Sequence, residues 1–379
     1  MKMRAALLTE TGRPRPYAES RPLVVETLDL AGPMAGEVLV EISAAGLCHS
    51  DLSTIEGIRP RPLPTVPGHE SAGIVREVGT GIDDLRPGDR VVTTFVMSCG
   101  HCHICEDGRP YLCETASQSK AKGELLAGGS RLSLNGQPVA HAAGVSCFAE
   151  YAVVARETLV KLPDDLPLDA GALFGCAVMT GVGAVLNTAQ VQPGQALAVV
   201  GLGGVGYNAV MGAVIAEAAP VIAVDTDPRK FELARDLGAT HCIDPGDDTA
   251  LEQIRDLTQG GVRHAIEAAG STRAMEFAYA ALGPGGMVTS VGLTPSTATV
   301  TLPSYDMVTR GRGLQGCYMG SCSPPADIPR FIEFHRQGRL PLAKLLSGTL
   351  GLEDLNAAFD RLAAGDAVRQ ILTPHGTLT

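Results

Sequence analysis

Four cysteines, Cys99, Cys102, Cys105 and Cys113, follow the spacing C-x2-C-x2-C-x7-C in and just after the stretch CGHCHIC. Four thiolates close a tetrahedral shell around Zn2+ with no open position, so this cluster reads as a structural zinc site that does no chemistry of its own. Iron–sulfur spacing begins alike but continues with a three-residue gap and Cys-Pro, whereas here Glu114 follows Cys113. His101 and His103 are surplus to a filled shell and read as exposed loop residues. The reaction has to be sought elsewhere. Cys48 in GLCHSD, His69 in PGHESAG and Cys176 in LFGCAVMTG are ligand types, but taken singly each is equally a small buried thiol or a histidine satisfied in a turn.

A second constellation is GLGGVG, made by Gly201, Gly203, Gly204, Val205 and Gly206 directly after the apolar run QALAVV. Glycines at a strand-to-helix turn let the backbone approach a pyrophosphate, whose charge then sits against the helix N-terminus. Asp225 ends the next apolar run, 19 residues after Gly206, where an acid accepts hydrogen bonds from an adenosine ribose and repels a 2′-phosphate. NAD is therefore favoured over NADP. Arg229 and Lys230 weigh against this, since basic side chains here also recruit NADP; Lys230 is otherwise a cofactor contact or part of a solvated first helical turn.

These sites need two kinds of frame. Up to about residue 150 the chain shows short alternating strands (EVLVEISAAG, SAGIVREVG, PGDRVVTTF, FAEYAVVA), an all-β organisation. From about 195 to 293, apolar strands (LAVVG, VIAVD, HCI, HAIEAAG, GGMVTSVG) alternate with helical segments such as PRKFELARDLG and DTALEQIRDLTQG. That alternation predicts α/β architecture with a doubly wound parallel sheet. Pro228 and Gly238 mark the start and stop of one helix. Two amphipathic helices and the strand VRQILT close the chain.

Bulk properties narrow the function. With 379 residues, 45% hydrophobic and 19% charged, the chain has room for two domain cores. The net charge of −11 argues against nucleic acid as a partner. No Asp, Glu, Lys or Arg occurs between Asp169 and Glu217, but Pro193 and many glycines break the stretch, so it reads as buried helix, strand and helix with no membrane partner. The opening MKMRAALL reads as a strand and is too short for a signal-peptide core, which predicts a cytoplasmic protein whose ten cysteines are thiols or metal ligands.

In this order, GLCHSD, GHESAGIVREVGTGI, the four-cysteine lobe, LFGCAVMTG, GLGGVG and Asp225 resemble the zinc-dependent medium-chain alcohol dehydrogenases. The segment 114–147 is similar to the liver-type and glutathione-dependent formaldehyde dehydrogenase branch. The resemblance implies a Rossmann domain over 178–320 and a mostly β GroES-like catalytic domain from 1–177 and 321–379. The catalytic domain would carry the structural zinc lobe at about 97–115, with the active site in the cleft between the domains. It implies two zinc ions per subunit, NAD, a small alcohol or aldehyde substrate, and a homodimer, with a homotetramer the alternative.

By the same resemblance Cys48, His69 and Cys176 bind a catalytic zinc that keeps one open position and lowers the pKa of what it binds. Ser50 would relay the alcohol proton, and Asp51 would orient His69. Glu70 would approach the metal from behind. His49 and Arg369 would contact the cofactor, Thr180 and Leu293 would lie near its ring, and Phe95 would wall the substrate pocket. Two departures stand out. Ser53 replaces the histidine that ends the liver enzymes' proton relay, and Ser117 replaces the arginine with which the glutathione-dependent branch meets a substrate carboxylate. Arg59 and Arg61 at the pocket mouth would either steer an acidic substrate or form a solvated loop face. The rivals are a thiol-adduct formaldehyde dehydrogenase and a non-catalytic NAD-binding structural protein.

Overall fold

The structure is a computed structural model and describes residues 1–376. It divides into two compact units. The first comprises residues 1–176, 323–329 and 345–379; the second comprises 177–322 and 330–344.

The first unit is built on Glu37–Gly46, which pairs antiparallel with Ser71–Val78 on one side and, along its length, with Tyr151–Ala155 and Arg369–Leu372. Arg90–Thr93, Leu159–Lys161 and Leu346–Leu350 complete a seven-stranded sheet. Side chains alternate across a strand, and here both faces are covered. Val38, Val40 and Ile42 join a core with Phe148 and Phe359, while Leu39 turns to a second core with Met3, Leu28 and Val153. Burying rings such as Phe148 and Phe359 contributes about 1.5–3 kcal/mol each. A closed barrel of Lys2–Leu8, Leu23–Leu30, Leu132–Leu134, Gln137–His141 and Thr65–Val66 lies beside this sheet in the same unit.

The second unit carries a six-stranded sheet, parallel throughout, in the order His241–Ile243, Val221–Val224, Leu197–Val200, Val262–Glu267, Leu282–Ser290, Gly313–Gly316. Its central strands are unbroken apolar runs because both faces are covered. The order reverses beside Leu197–Val200, the point at which open α/β sheets bind ligands. The reading as a doubly wound sheet holds. Its edge strand, GLQG, carries no alternation and was not foreseen.

The uncharged stretch opens on Leu168–Thr188, one helix long and apolar enough to cross a membrane but almost wholly buried within the protein. It is not a regular α-helix: Phe174–Val178 and Ala184–Thr188 are wide, π-helical turns. Such turns gather at functional sites.

Candidate active site and cofactor loop

Cys48, His69 and Cys176 come from three elements of the first unit. Cys48 follows the end of Glu37–Gly46 and precedes the helix His49–Ile55, which Leu52 and Ile55 tie into the core. His69 leads into Ser71–Val78 from a turn at Gly68, where φ is +95° and a Cβ would stand 2.6 Å from the Phe148 ring, so only glycine fits. Cys176 sits on the wide turn Phe174–Val178. Beside it Gly175 lies so close to Arg90–Thr93 that a Cβ would be 2.3 Å from the Thr93 carbonyl oxygen.

Ligand atoms of Cys48, His69, Glu70 and Cys176 all lie within 4.8 Å of one another, and all four residues are buried. His69 Nδ1 is held 3.1 Å from Asp51 Oδ1. Its Nε2 is buried with no hydrogen-bond partner, an arrangement costly in a protein interior unless that nitrogen binds an ion. The residues therefore fit zinc: two sulfurs and one imidazole nitrogen, with the Glu70 carboxyl beside them.

The charges agree. A hydrogen bond from Cys176, then His69 and Arg369, holds the Cys48 thiol well below its ordinary range against burial, while Cys176, the donor, is pushed well up. Burial opposes charge on His69, but Asp51 and Cys48 together raise its basicity well above normal, which strengthens it as a ligand. Burial lifts Glu70 to about 7, with Arg369 pulling the other way. Gly46 makes room for this carboxyl, since a Cβ there would stand 2.9 Å from Glu70 Oε1.

In the lobe, Cys102 Sγ is 3.5 Å from Cys105 Sγ and 3.9 Å from Cys113 Sγ. Zinc–sulfur bonds of about 2.3 Å in a tetrahedron give sulfur–sulfur edges of about 3.8 Å, so these sulfurs already stand where zinc needs them. All ten cysteines are free thiols. The backbone N–H of Cys99 and of Ala116 point at Cys113 Sγ, and that of Cys102 at Cys99 Sγ, which favours thiolates. His101 and His103 are exposed, as expected.

In the second unit the glycine loop divides its labour. Gly201 has φ +99° and no room for a side chain beside Ala269. Gly206 packs the helix Gly204–Ile215 so tightly that a Cβ would be 1.9 Å from the Gly201 carbonyl oxygen. Gly203, unlike Gly201 and Gly206, opens onto free space within 4 Å, a cradle that a side chain would fill, as a bound pyrophosphate requires. Asp225 is buried at the end of its strand and accepts from the N–H of Leu202 at 2.7 Å and of Asp227 at 2.9 Å. Lys230 Nζ donates to both its oxygens at 3.0 and 3.1 Å, so this lysine is a partner of Asp225. Arg229 pairs with Asp227 instead.

Residues 34–164 match the model of the alcohol dehydrogenase GroES-like domain, and residues 204–337 that of zinc-binding dehydrogenase. An S-(hydroxymethyl)glutathione dehydrogenase of Synechocystis sp. is 39% identical over 376 residues, 98% of this chain and 100% of that one. This chain belongs to the zinc-dependent medium-chain alcohol dehydrogenases. Among solved structures, an alcohol dehydrogenase zinc-binding domain protein from Burkholderia ambifaria superposes with TM-score 0.93 at 34% identity, and benzyl alcohol dehydrogenase from Acinetobacter calcoaceticus with 0.92 at 30%; each covers 99% of both chains. The dehydrogenase is thus an oxidoreductase acting on CH–OH, its cofactors are zinc and NAD, and the non-catalytic rival falls away.

The remaining site residues of the dehydrogenase are placed as follows. Ser50 Oγ lies 3.6 Å from Cys48 Sγ. The Phe95 ring stands edge-on to His69, centroids 4.9 Å apart at 85°, while also packing on the core. Arg369 is buried, donating to the Leu47 carbonyl at 3.1 Å and facing Glu70 Oε2 at 3.4 Å. In the second unit Thr180 is buried with its Oγ1 3.6 Å from Met319 Sδ. His49 and Leu293 are exposed. The closeness of Arg369 to Glu70 was missed by sequence reasoning. Nothing local marks it, because 299 residues separate the two.

Proposed function

We propose that the enzyme interconverts a small alcohol and its carbonyl product, with Cys48, His69 and Cys176 holding the catalytic zinc. The observation that carries this assignment is the buried, unpaired Nε2 of His69 beside two thiols. With both bound, the metal would supply polarisation of the alcohol oxygen and NAD a hydride acceptor.

The chain's own residues do the rest. Asp51 keeps the His69 proton on Nδ1 so that Nε2 stays turned to the metal side. Ser50 takes up the alcohol proton. Ser53, one turn further on the same helix face, offers a hydroxyl where liver enzymes have an imidazole, so the proton leaves by a slower route. Glu70 and Arg369 brace the metal site from behind, and Phe95 walls it. Gly201, Gly203, Gly204, Val205 and Gly206 receive the pyrophosphate; Asp225 and Lys230 receive the ribose. His49 and Arg369 contact the cofactor phosphates, while Thr180 and Leu293 line its ring.

The proposal extends to a cytoplasmic homodimer, or a homotetramer, joined through the cofactor-unit sheet. The edge strand Gly313–Gly316 and the exposed Tyr305 and Val308 support that contact, and mass measurement in solution tests it. A second reading, oxidation of S-(hydroxymethyl)glutathione, is favoured by the names of the full-length relatives and opposed by Ser117. Following NAD reduction over a varied alcohol panel, and with formaldehyde with and without glutathione, tests both readings. Glutathione-dependent formaldehyde oxidation alone would replace the first reading by the second. No activity with any alcohol or thiol adduct would defeat both.

A further inference from the structure

Tyr207 joins the two turns that meet the cofactor. It lies in the first turn of the helix Gly204–Ile215, where its backbone N–H donates to the Gly203 carbonyl at 2.9 Å. Its ring is buried, 1% exposed, and its hydroxyl donates to the Lys230 carbonyl at 3.1 Å. From Lys230 the contacts return. The ammonium grips both oxygens of Asp225, and Oδ2 of that carboxylate takes the N–H of Leu202, next to Gly203. A closed ring of hydrogen bonds thus links the open glycine to the acid at the strand end, with the Tyr207 side chain as its buried span.

For filling the interior a phenylalanine would serve better, since a buried hydroxyl is costly unless it is bonded. Here the bond goes to the backbone that aims Lys230. Burial, followed by the charges of Asp225 and Asp227, pushes the phenol well up, so it remains a protonated donor at neutral pH. Pro228–Lys230 is one tight turn, and Lys230 caps the helix Phe231–Asp236. Held at its carbonyl, this residue keeps its ammonium on Asp225. Released, the ammonium would be free to turn outward and pair with a 2′-phosphate.

We propose that Tyr207 is a positioning residue for cofactor choice: by tying the Lys230 backbone to the glycine-loop helix, it keeps the Lys230 ammonium on Asp225 and away from a 2′-phosphate, and so holds the enzyme to NAD. The proposal rests on the reading of Asp225 and Lys230 as the ribose partners.

The test measures kcat/KM for NAD and for NADP with benzyl alcohol on the zinc-loaded enzyme, and the binding of NADH and NADPH by fluorescence titration. Tyr207→Phe removes only the hydroxyl and should lower the NAD-over-NADP ratio about 3- to 10-fold, what one hydrogen bond contributes, through tighter binding of the phosphorylated cofactor. Lys230→Met uncovers Asp225 and should raise the ratio, and adding Tyr207→Phe to it should change the ratio no further. Tyr207→Met, also without a hydroxyl, carries the comparison if Tyr207→Phe does not fold. A role in packing alone would weaken both cofactors alike and leave the ratio where it was. That result, or the same fall in ratio with Lys230 absent, would overturn the positioning role while leaving the ribose reading intact. If Lys230→Met itself leaves both ratio and binding untouched, the ribose reading fails and the positioning role with it.

Discussion

Asp51 and His69 are joined by a 3.1 Å contact between Oδ1 and Nδ1, and the same carboxylate oxygen takes the Gly68 N–H at 3.2 Å. One acid thus orients both the imidazole and the turn that delivers it. Asp51→Asn keeps the shape but weakens the hold on the ring. The zinc affinity of this site should fall 10- to about 100-fold while the four-cysteine site keeps its metal. Chelator competition with zinc counting should show one ion lost early and one late.

The glycine loop predicts two different failures. Gly206→Ala places a methyl 1.9 Å from a backbone oxygen and should destabilise the fold by several kcal/mol, on the order of a core overpacking or worse. Gly203→Ala meets nothing within 4 Å, so its melting temperature should hold while NADH binding weakens about tenfold or more. Thermal unfolding beside a fluorescence titration separates the two.

Arg369 faces Glu70 with both side chains buried. Replacing Arg369 by methionine leaves a buried carboxyl without its counter-charge and should cost about 3–5 kcal/mol. Adding Glu70→Gln should return part of that loss in urea unfolding. If the double variant is no more stable than the single, the pair is not coupled.

His141 supplies a pH test away from both metal sites. It is buried, its Nε2 accepts the Arg131 N–H at 3.2 Å, and burial followed by the Arg131 charge lowers it to about 3. The unfolded chain binds this proton near pH 6.5, so His141 should make no demand above that pH. Its stabilising contribution is lost progressively as pH falls from about 6.5 toward 3. His141→Gln, which keeps an acceptor for Arg131, should flatten the acid limb of the unfolding curve.

Cys105→Ser opens the lobe's shell. One zinc should be lost, and the helix Glu114–Lys122, capped by the neighbouring Cys113, should fray, seen as rapid hydrogen exchange there with His69 still metal-bound.

What could be read from the sequence divides along physical lines. The parallel strands LAVV and VIAV and the glycine turn were legible because their signals are local: apolar runs, breakers, fixed spacing. The convergence of Cys48, His69 and Cys176 was not legible from spacing, since strand ends, a turn and a helix make it, and only a family resemblance suggested it. Short strands such as Leu132–Leu134 and Leu346–Leu350 carry too few residues to show a period. Lys120 on the Phe95 ring escaped because the zinc lobe, not the intervening chain, brings it there.

The wide turn at Phe174–Val178 means this helix holds one residue more than a regular spiral of its length needs. Deleting a residue there would relax the backbone into ordinary winding and swing everything beyond it by about 100° about the axis. Cys176 would then face away from His69. A better helix would make a worse enzyme, and any engineering effort toward heat resistance should leave that surplus residue alone.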